Sequence, residues 1–351
     1  MTEILSQQTF SNKLVAKLTS NSEPYYGAMI RNLPPARPST IHRVSSRPTL
    51  GVLDALPAEL LLMILDLLDF QSLSRISRVS LHGKAVVEGL PAYRDMMTHA
   101  PKVLNALRRK RALRYHPASL LRQALRSSKC VCCSEFGAFL FLPTCERVCF
   151  GCLNQNRAFR MTTLASAGKF FGLTESQLNR IPIIHSTPTR PYELQRLVSA
   201  EQVKQLVIEV HWTVENIANL MQKLQAGKIT SGESRLLGHF HETAYSEPAG
   251  RHFWRWPEKP IFEGNELNGM ASIRFPYVTE AGADYGRACR GCRVTYHHYQ
   301  DGLLPAKVLS ELVSPGILRT YHPYRAITAR LRSTDEFREH IKHCYGVTWL
   351  L

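Results

Sequence analysis

Two Cys-x2-Cys sequences place the strongest constraint on how this chain can fold. Cys130 and Cys133 form the first pair, and Cys149 and Cys152 form the second after fifteen intervening residues. Two residues between thiolates allow a tight turn that aims both sulfurs at one tetrahedral ion, and a second pair completes the coordination. The spacing is typical of zinc ribbons and treble clefs. Because four cysteines leave no open coordination position, we expect a structural zinc ion.

The other cysteines point in the same direction. The chain has nine, and eight lie in or beside tight clusters, which favours metal binding in a reducing compartment over the alternative of a disulfide framework. Cys132 and Cys145 lie within the first region, and either can replace one of the four ligands. The simpler assignment leaves both as small buried residues. Between the two pairs, residues 139–142 predict one strand of a small hairpin.

A second metal site is predicted further along the chain. Cys289 and Cys292 form another Cys-x2-Cys pair, and residues 334–345 have the pattern of a capped helix. His340 and Cys344 are four residues apart and therefore share one face of that helix. Together the four side chains form a candidate Cys3His zinc site, although spacing alone does not pair them. Three other histidines compete as ligands, namely His297, His298 and His343.

The composition is that of a basic globular protein. The 351 residues allow two compact units with extensions, and 44 Lys and Arg against 28 Asp and Glu give a net charge of +16. No apolar run approaches the roughly 18 residues needed to span a bilayer, and the first residues lack a signal-peptide pattern. We therefore expect an intracellular protein of the nucleus, the cytoplasm or both. Residues 1–50 are rich in Pro, Ser and Thr and predict a disordered basic arm.

Residues 51–97 have the pattern of three short helices. Apolar residues recur with a helical period over residues 53–68, Asp69 can cap a second helix, and a third apolar stretch precedes Pro91. The segment closely resembles an F-box, whose Leu-Pro, Glu, Ile-Leu, Leu and Val-Ser landmarks fall in order at the usual spacing. In this chain they include Leu56-Pro57, Glu59, Ile64-Leu65 and Val79-Ser80. Tyr93 stands where the family often has Trp.

The F-box resemblance implies a binding role and no catalysis. It implies that residues 51–97 bind the Skp1-type linker of an SCF-type cullin-RING ubiquitin ligase, while the zinc-stabilised remainder captures a protein substrate. Some of the motif's apolar residues hold the helices together and others fill a groove of the partner. The residues it assigns to linker contact are Leu56, Pro57, Leu60, Ile64, Leu65, Leu68 and Val79.

A basic segment supports an alternative function. Residues 101–129 contain nine Lys and Arg and no acidic residue, and their apolar residues predict helices interrupted at Pro117. Such a segment can bind nucleic-acid phosphates, an acidic protein surface or a nuclear import receptor, or can form a solvated helix face. The alternative is therefore a zinc-containing nucleic-acid-binding protein that uses this segment and the first zinc module. Its binding should depend steeply on salt.

Three further resemblances concern the cysteine regions. Residues 145–153 have a form that recurs in the middle region of many fungal F-box proteins. Residues 163–174 loosely resemble the zinc subdomain of xeroderma-pigmentosum-A-type repair proteins. Related fungal proteins often end in a Phe-x2-His-x3-Cys helix, and residues 337–344 have this form. The last resemblance supports the pairing of His340 and Cys344 with Cys289 and Cys292.

We therefore expect a mainly helical α+β protein. Residues 161–171, 200–210 and 214–226 predict helices, and the aromatic residues 252–257 are most typical of a core. No phosphate-binding glycine loop, metalloprotease motif or nucleophile elbow is present in the sequence. The expected order is a basic arm at 1–50, an F-box at 51–97, a basic helical linker at 98–128, a first zinc module at 129–185, a mixed region at 186–285, and a second Cys-x2-Cys module with a terminal helix at 286–351.

Overall fold

The computed structural model describes residues 12–20, 30, 33–38, 49–186, 194–211, 219, 222–223, 226–228, 269–312 and 328–351. Over these residues the chain is α+β, with many short helices and small antiparallel sheets, as the sequence predicted. No helix within these ranges is both long enough and apolar enough to cross a membrane. The predicted helix at 214–226 lies largely outside the described residues, and the aromatic segment at 252–257 lies wholly outside them.

The elements that the argument uses have the following bounds. The helices are α1 Asn12–Leu18, α2 Ala58–Asp66, α3 Phe70–Ile76, α4 Leu81–Gly89, α5 Pro91–His99, α6 Pro101–Arg109, α7 Ala118–Arg126, α8 Phe150–Gln155, α9 Leu164–Phe171, α10 Glu175–Leu178, α11 Ala200–His211, α12 Arg290–Gln300, α13 Ala306–Leu312, α14 Thr334–His343 and α15 Tyr345–Thr348. The strands are β1 Thr19–Ser20, β2 Phe139–Phe141, β3 Glu146–Val148, β4 Met161–Thr163, β5 Ile184–His185, β6 Arg196–Ser199, β7 Ser272–Arg274, β8 Tyr277–Thr279, β9 Gly282–Asp284, β10 Arg287–Cys289 and β11 Leu331–Arg332.

The segment that resembles an F-box consists of short helices joined by turns. Asp69 caps α3 as predicted, because its carboxylate accepts hydrogen bonds from the backbone N–H groups of Gln71 and Ser72. Ser80 caps α4 in the same way through the N–H of Gly83. The sequence predicted three helices here, and the structure has four, α2 to α5. The fourth begins at Pro91, where the missing N–H costs no helical hydrogen bond.

The basic helices α6 and α7 are separated at Pro117, as predicted, but they are not a linker. Each buries an apolar face, which includes Leu107 in α6 and Leu121 in α7. The buried Asp95 of α5 accepts hydrogen bonds from Arg122 and Arg126 of α7. One continuous core extends from α2 through these helices to β7. The predicted boundaries near residues 97 and 128 therefore do not separate independent units.

Two small sheets follow this helical part. The predicted hairpin is confirmed, since β2 pairs with β3, and β7 pairs with the other edge of β2 through Leu140 and Ile273. Part of the mixed region at 186–285 thus completes the first module. The predicted helix at 161–171 is wrong at its start, because residues 161–163 form β4, which pairs with β6. Thr163 ends this strand and caps α9 through the N–H of Ser166.

The third sheet joins distant parts of the chain in the order β1-β10-β11. Helix α1 leads into β1, and its Val15 and Leu18 are buried against side chains of α12 and α14. Further along the predicted arm, the carbonyl oxygen of Pro34 accepts a hydrogen bond from the side-chain amide of Asn105. The prediction of a disordered arm is therefore wrong for residues 12–20. The short apolar face of α1 is stable because it completes a core provided by another part of the chain.

Candidate metal centres and an exposed apolar face

The first predicted set of metal ligands comes together in the structure. The sulfurs of Cys130, Cys133, Cys149 and Cys152 all lie within 4.8 Å of one another. The Cys133 sulfur is 3.5 Å from that of Cys149 and 3.3 Å from that of Cys152. Tetrahedral geometry with Zn–S bonds of about 2.3 Å places neighbouring sulfurs roughly 3.8 Å apart. The cluster therefore has nearly the size that four thiolates around one ion require.

Local backbone structure aims these four sulfurs inward. The sulfur of Cys130 accepts a hydrogen bond from the N–H of Cys132, at 3.4 Å, within the first turn. Cys149 follows β3 directly and caps α8, where its sulfur accepts from the N–H of Cys152 at 3.3 Å. Hydrogen bonds from backbone N–H groups favour the charged thiolate, which is the form that binds metal. The hairpin β2–β3 sets the distance between the two turns.

The two extra thiols of this region lie outside the set of four. Cys132 is buried, and its sulfur accepts a hydrogen bond from the side-chain amide of Asn156. Cys145 is also buried, 3.8 Å from the carbonyl oxygen of Leu142, and burial raises the pKa of its thiol. Neither Cys132 nor Cys145 belongs to the group of four whose ligand atoms lie within 4.8 Å of one another. Both residues occupy the positions that the simpler assignment gave them.

The second predicted set also comes together. The ligand atoms of Cys289, Cys292, His340 and Cys344 lie within 4.8 Å of one another. Cys292 is 3.1 Å from Nε2 of His340, and the sulfurs of Cys289 and Cys344 are 3.9 Å apart. The first two cysteines lie where β10 passes into α12, whereas His340 lies in α14 and Cys344 directly follows it. Spacing alone left this pairing open, and the sheet and helix packing produces it.

The competing histidines have other contacts. Nδ1 of His298 is 3.1 Å from the hydroxyl of Tyr345, and its ring packs edge-on against Trp349. His343 lies 3.5 Å from the carboxylate of Glu339 on the exposed side of α14. His297 is not in either group of candidate ligands. The two clusters therefore consist of the eight residues predicted from the sequence.

In each cluster, the neighbouring side chains stabilise one thiol as its thiolate. Hydrogen bonding from neighbouring thiols, first from Cys132, lowers the pKa of Cys130. Hydrogen bonding from Cys292 and Cys344 likewise lowers the pKa of Cys289. All nine cysteines are free of disulfides, so these sulfurs are available as ligands. Crowded thiols that stabilise a thiolate among them match the requirements of a metal site, and both clusters can hold a metal ion.

A different feature lies on α2, where large apolar side chains are exposed. Leu60 is 49% exposed, Met63 66%, Ile64 44% and Leu67 73%. These positions follow the i, i+3, i+4, i+7 spacing of one helical face. The opposite side of α2 is buried through Leu61 and Leu65. The helix therefore packs on the core with one apolar face and presents a second apolar face outward.

The structure divides the seven predicted contact residues by their exposure. Leu60, Ile64 and Val79 are exposed, and so is Pro57. Leu65 is only 1% exposed and lies in the core, so it is one of the residues that hold the helices together. Leu56 and Leu68 are partly buried and pack against the same core. Both therefore also help to hold the helices together.

Met63 and Leu67 are the residues that sequence reasoning missed. Every position from Leu60 to Leu65 is apolar, so periodicity alone does not show which side of the helix is buried. The placement of Leu61 and Leu65 in the large core decides it. A helix apolar on all sides, in a segment too small to surround it, was the signal that one apolar face stays exposed.

Comparison with models of known protein families, with curated proteins and with solved structures finds no match for this chain. The two ligand clusters and the exposed face of α2 are therefore the features of the molecule that bear on its function.

Proposed function

We propose that this protein is a substrate-receptor subunit of an SCF-type cullin-RING ubiquitin ligase. Residues 51–97 bind a Skp1-type linker as an F-box, and the remainder of the chain binds a protein substrate. The observation that carries the proposal is the exposed apolar face of α2. It lies within the segment that resembles an F-box, and it includes two of the residues assigned to linker contact, Leu60 and Ile64.

The chemistry of this face suits a protein partner. Single exposed leucines are common on protein surfaces, but a contiguous stripe of large apolar side chains marks an interaction site. A helix that presents anchors at i, i+3, i+4 and i+7 matches an apolar groove of a partner. Val79, 62% exposed, adds a further apolar side chain near the end of the same motif. Covering this face removes large apolar side chains from water, which favours association.

Zinc is the ion that we propose for both clusters. Thiolate and imidazole ligands in a tetrahedral arrangement are those that zinc prefers in proteins. The arrangement of the first cluster, a turn, a hairpin and a helix that begins at the second cysteine pair, resembles a treble clef. Both sets use four protein ligands, so each ion is structural and neither activates a water. The chain then acts by holding a substrate close to a ubiquitin-charged enzyme that other subunits recruit.

Co-expression with a Skp1-type protein tests the proposal. The complex is separated by size-exclusion chromatography, and zinc is quantified in the same peak. We expect a stable one-to-one complex that carries two zinc ions per chain. Zinc-loaded protein that elutes alone would contradict the adaptor function. A complex with fewer than two zinc ions would show instead that one cluster is merely part of a core.

A further inference from the structure

A cleft between the F-box-like helices and the first module is lined by six arginines. It has a volume of about 940 Å³ and lies where α3, the chain following α6, and β6 approach one another. No acidic residue lines it within the part of the chain that the structure describes. The arginines are Arg75, Arg78, Arg108, Arg111, Arg114 and Arg196. All six are exposed, so their guanidinium groups are accessible to a ligand.

Hydrogen bonds within the protein leave most of this charge uncompensated. Arg78 donates to the carbonyl of Ser74, and Arg108 donates to the side-chain oxygen of Asn105. These acceptors are neutral, as is the Tyr115 hydroxyl to which Arg114 donates. Of the six, only Arg196 forms an ion pair among the described residues, with Glu175, which does not line the cleft. Uncompensated arginines that converge from three elements create a strongly positive site.

A backbone turn places two of these arginines, and a neighbouring histidine responds to their charge. Arg111 has a φ of 58°, in the left-handed region, where the chain turns away from the end of α6 and brings Arg111 and Arg114 to the cleft. His185, also in the lining, has a pKa lowered first by burial and then by Arg111, Arg196 and Lys110. The cleft therefore disfavours added positive charge and favours anions.

We propose that this arginine cleft binds a ligand that carries two or more closely spaced phosphomonoester groups. Guanidinium groups bind phosphate oxygens through paired hydrogen bonds in a fixed planar geometry, and the dianionic monoester is the strongest acceptor of this kind. Six arginines exceed what one phosphate group can engage. The volume lies in the range of sites for small ligands or short peptide segments.

The lining argues against a nucleic acid as the ligand. Proteins that hold single strands use aromatic side chains on which the bases stack. Tyr115 is the one aromatic residue of types Phe, Tyr or Trp in the described lining, and the guanidinium of Arg114 already covers its ring at 4.9 Å. Phosphodiesters also carry one charge per phosphate, whereas monoesters carry nearly two. A soluble polyphosphorylated small molecule and a multiply phosphorylated protein segment share the required chemistry.

Isothermal titration calorimetry on the full-length chain tests the proposal. The probes are inositol hexakisphosphate, a doubly phosphorylated serine peptide, its unphosphorylated form and a single-stranded oligonucleotide. The test variant is Arg75→Gln/Arg111→Gln. It removes two arginines whose side chains have no hydrogen-bond or ion-pair partner among the described residues. The matched control is Arg94→Gln/Arg109→Gln, which removes the same charge from exposed helix positions outside the cleft. No linker is needed, so the result does not depend on the proposed adaptor function.

We expect a phosphomonoester probe to bind the wild type and the control equally, and the test variant at least about tenfold more weakly. Binding of inositol hexakisphosphate alone identifies a small molecule as the source, and binding of the phosphorylated peptide alone identifies a protein segment. Equal weakening in both variants would reduce the effect to general charge and overturn the proposal. So would tighter binding of the oligonucleotide, or no binding of either phosphomonoester probe. Thermal unfolding confirms that each variant is folded, and Arg75→Gln alone replaces the double variant if it is not.

Discussion

The exposed face of α2 gives the most decisive prediction. Replacing Leu60 and Ile64 by Asp should abolish linker binding without unfolding the chain. Both side chains are about half exposed in the free protein, at 49% and 44%. A partner that covers both therefore removes from water about as much apolar surface as one whole side chain. Loss of that burial costs about 1.5–3 kcal/mol. Desolvating two unpaired carboxylates in the interface adds several kcal/mol.

A total above about 4 kcal/mol corresponds to at least a thousandfold weaker affinity. The assay is surface plasmon resonance with an immobilised Skp1-type protein, supported by co-purification. The matched control is Leu194→Asp/Leu303→Asp, because these leucines are 63% and 65% exposed but lie outside the F-box-like segment. We expect the control to bind like the wild type. Equal binding by Leu60→Asp/Ile64→Asp would refute the assignment of this face to the linker.

Three further predictions concern the metal clusters and the helical core. Gly346→Ala should lower the zinc content from two ions to one, because the added Cβ would collide with the backbone carbonyl of Gly291 beside the second cluster. The control Gly89→Ala adds its Cβ in open space and should keep both ions. The zinc content of each variant is measured by metal analysis. Cys149→Ser should lose the first ion and unfold at a lower temperature, measured by calorimetry, with the second ion retained. Burial acts to raise the pKa of Asp95, but hydrogen bonds from two arginines outweigh it, so the pKa lies below its usual value. Asp95→Asn should therefore cost about 1–3 kcal/mol at pH 7 in urea unfolding, and its difference from the wild type should shrink as the pH falls below about 4. A constant difference across that range would exclude the ion pair as its cause.

The sequence predicted best what depends on short separations. Cys130 and Cys133 share one turn, and the same holds for Cys149 and Cys152, so residue spacing alone indicated the cluster. The cap at Asp69 is equally local. These features need no knowledge of which elements pack together.

What the sequence did not reveal depends on long-range packing. Strand β7 joins β2 across about 130 residues, and nothing near Ile273 indicates that partner. Helix α1 is too short to be stable alone, and only its contact with α12 and α14 makes it ordered. The outward face of α2 was hidden for a related reason. An all-apolar helix shows its exposed side only when its neighbours are placed, and so Met63 and Leu67 were missed.

The pairing of β1 with β10 gives the second metal cluster a further role. Thr19 is the register partner of Cys289, and Leu18 packs in the same small core as Cys344. An ion held there joins Cys289 and Cys292 to His340 and Cys344, and the β1–β10 pairing beside it closes a much longer loop, from Thr19 to Cys289. Release of this one ion should free α1 and α14 together. A protease would then gain access to both segments in a single event, because this cluster holds both of them in place.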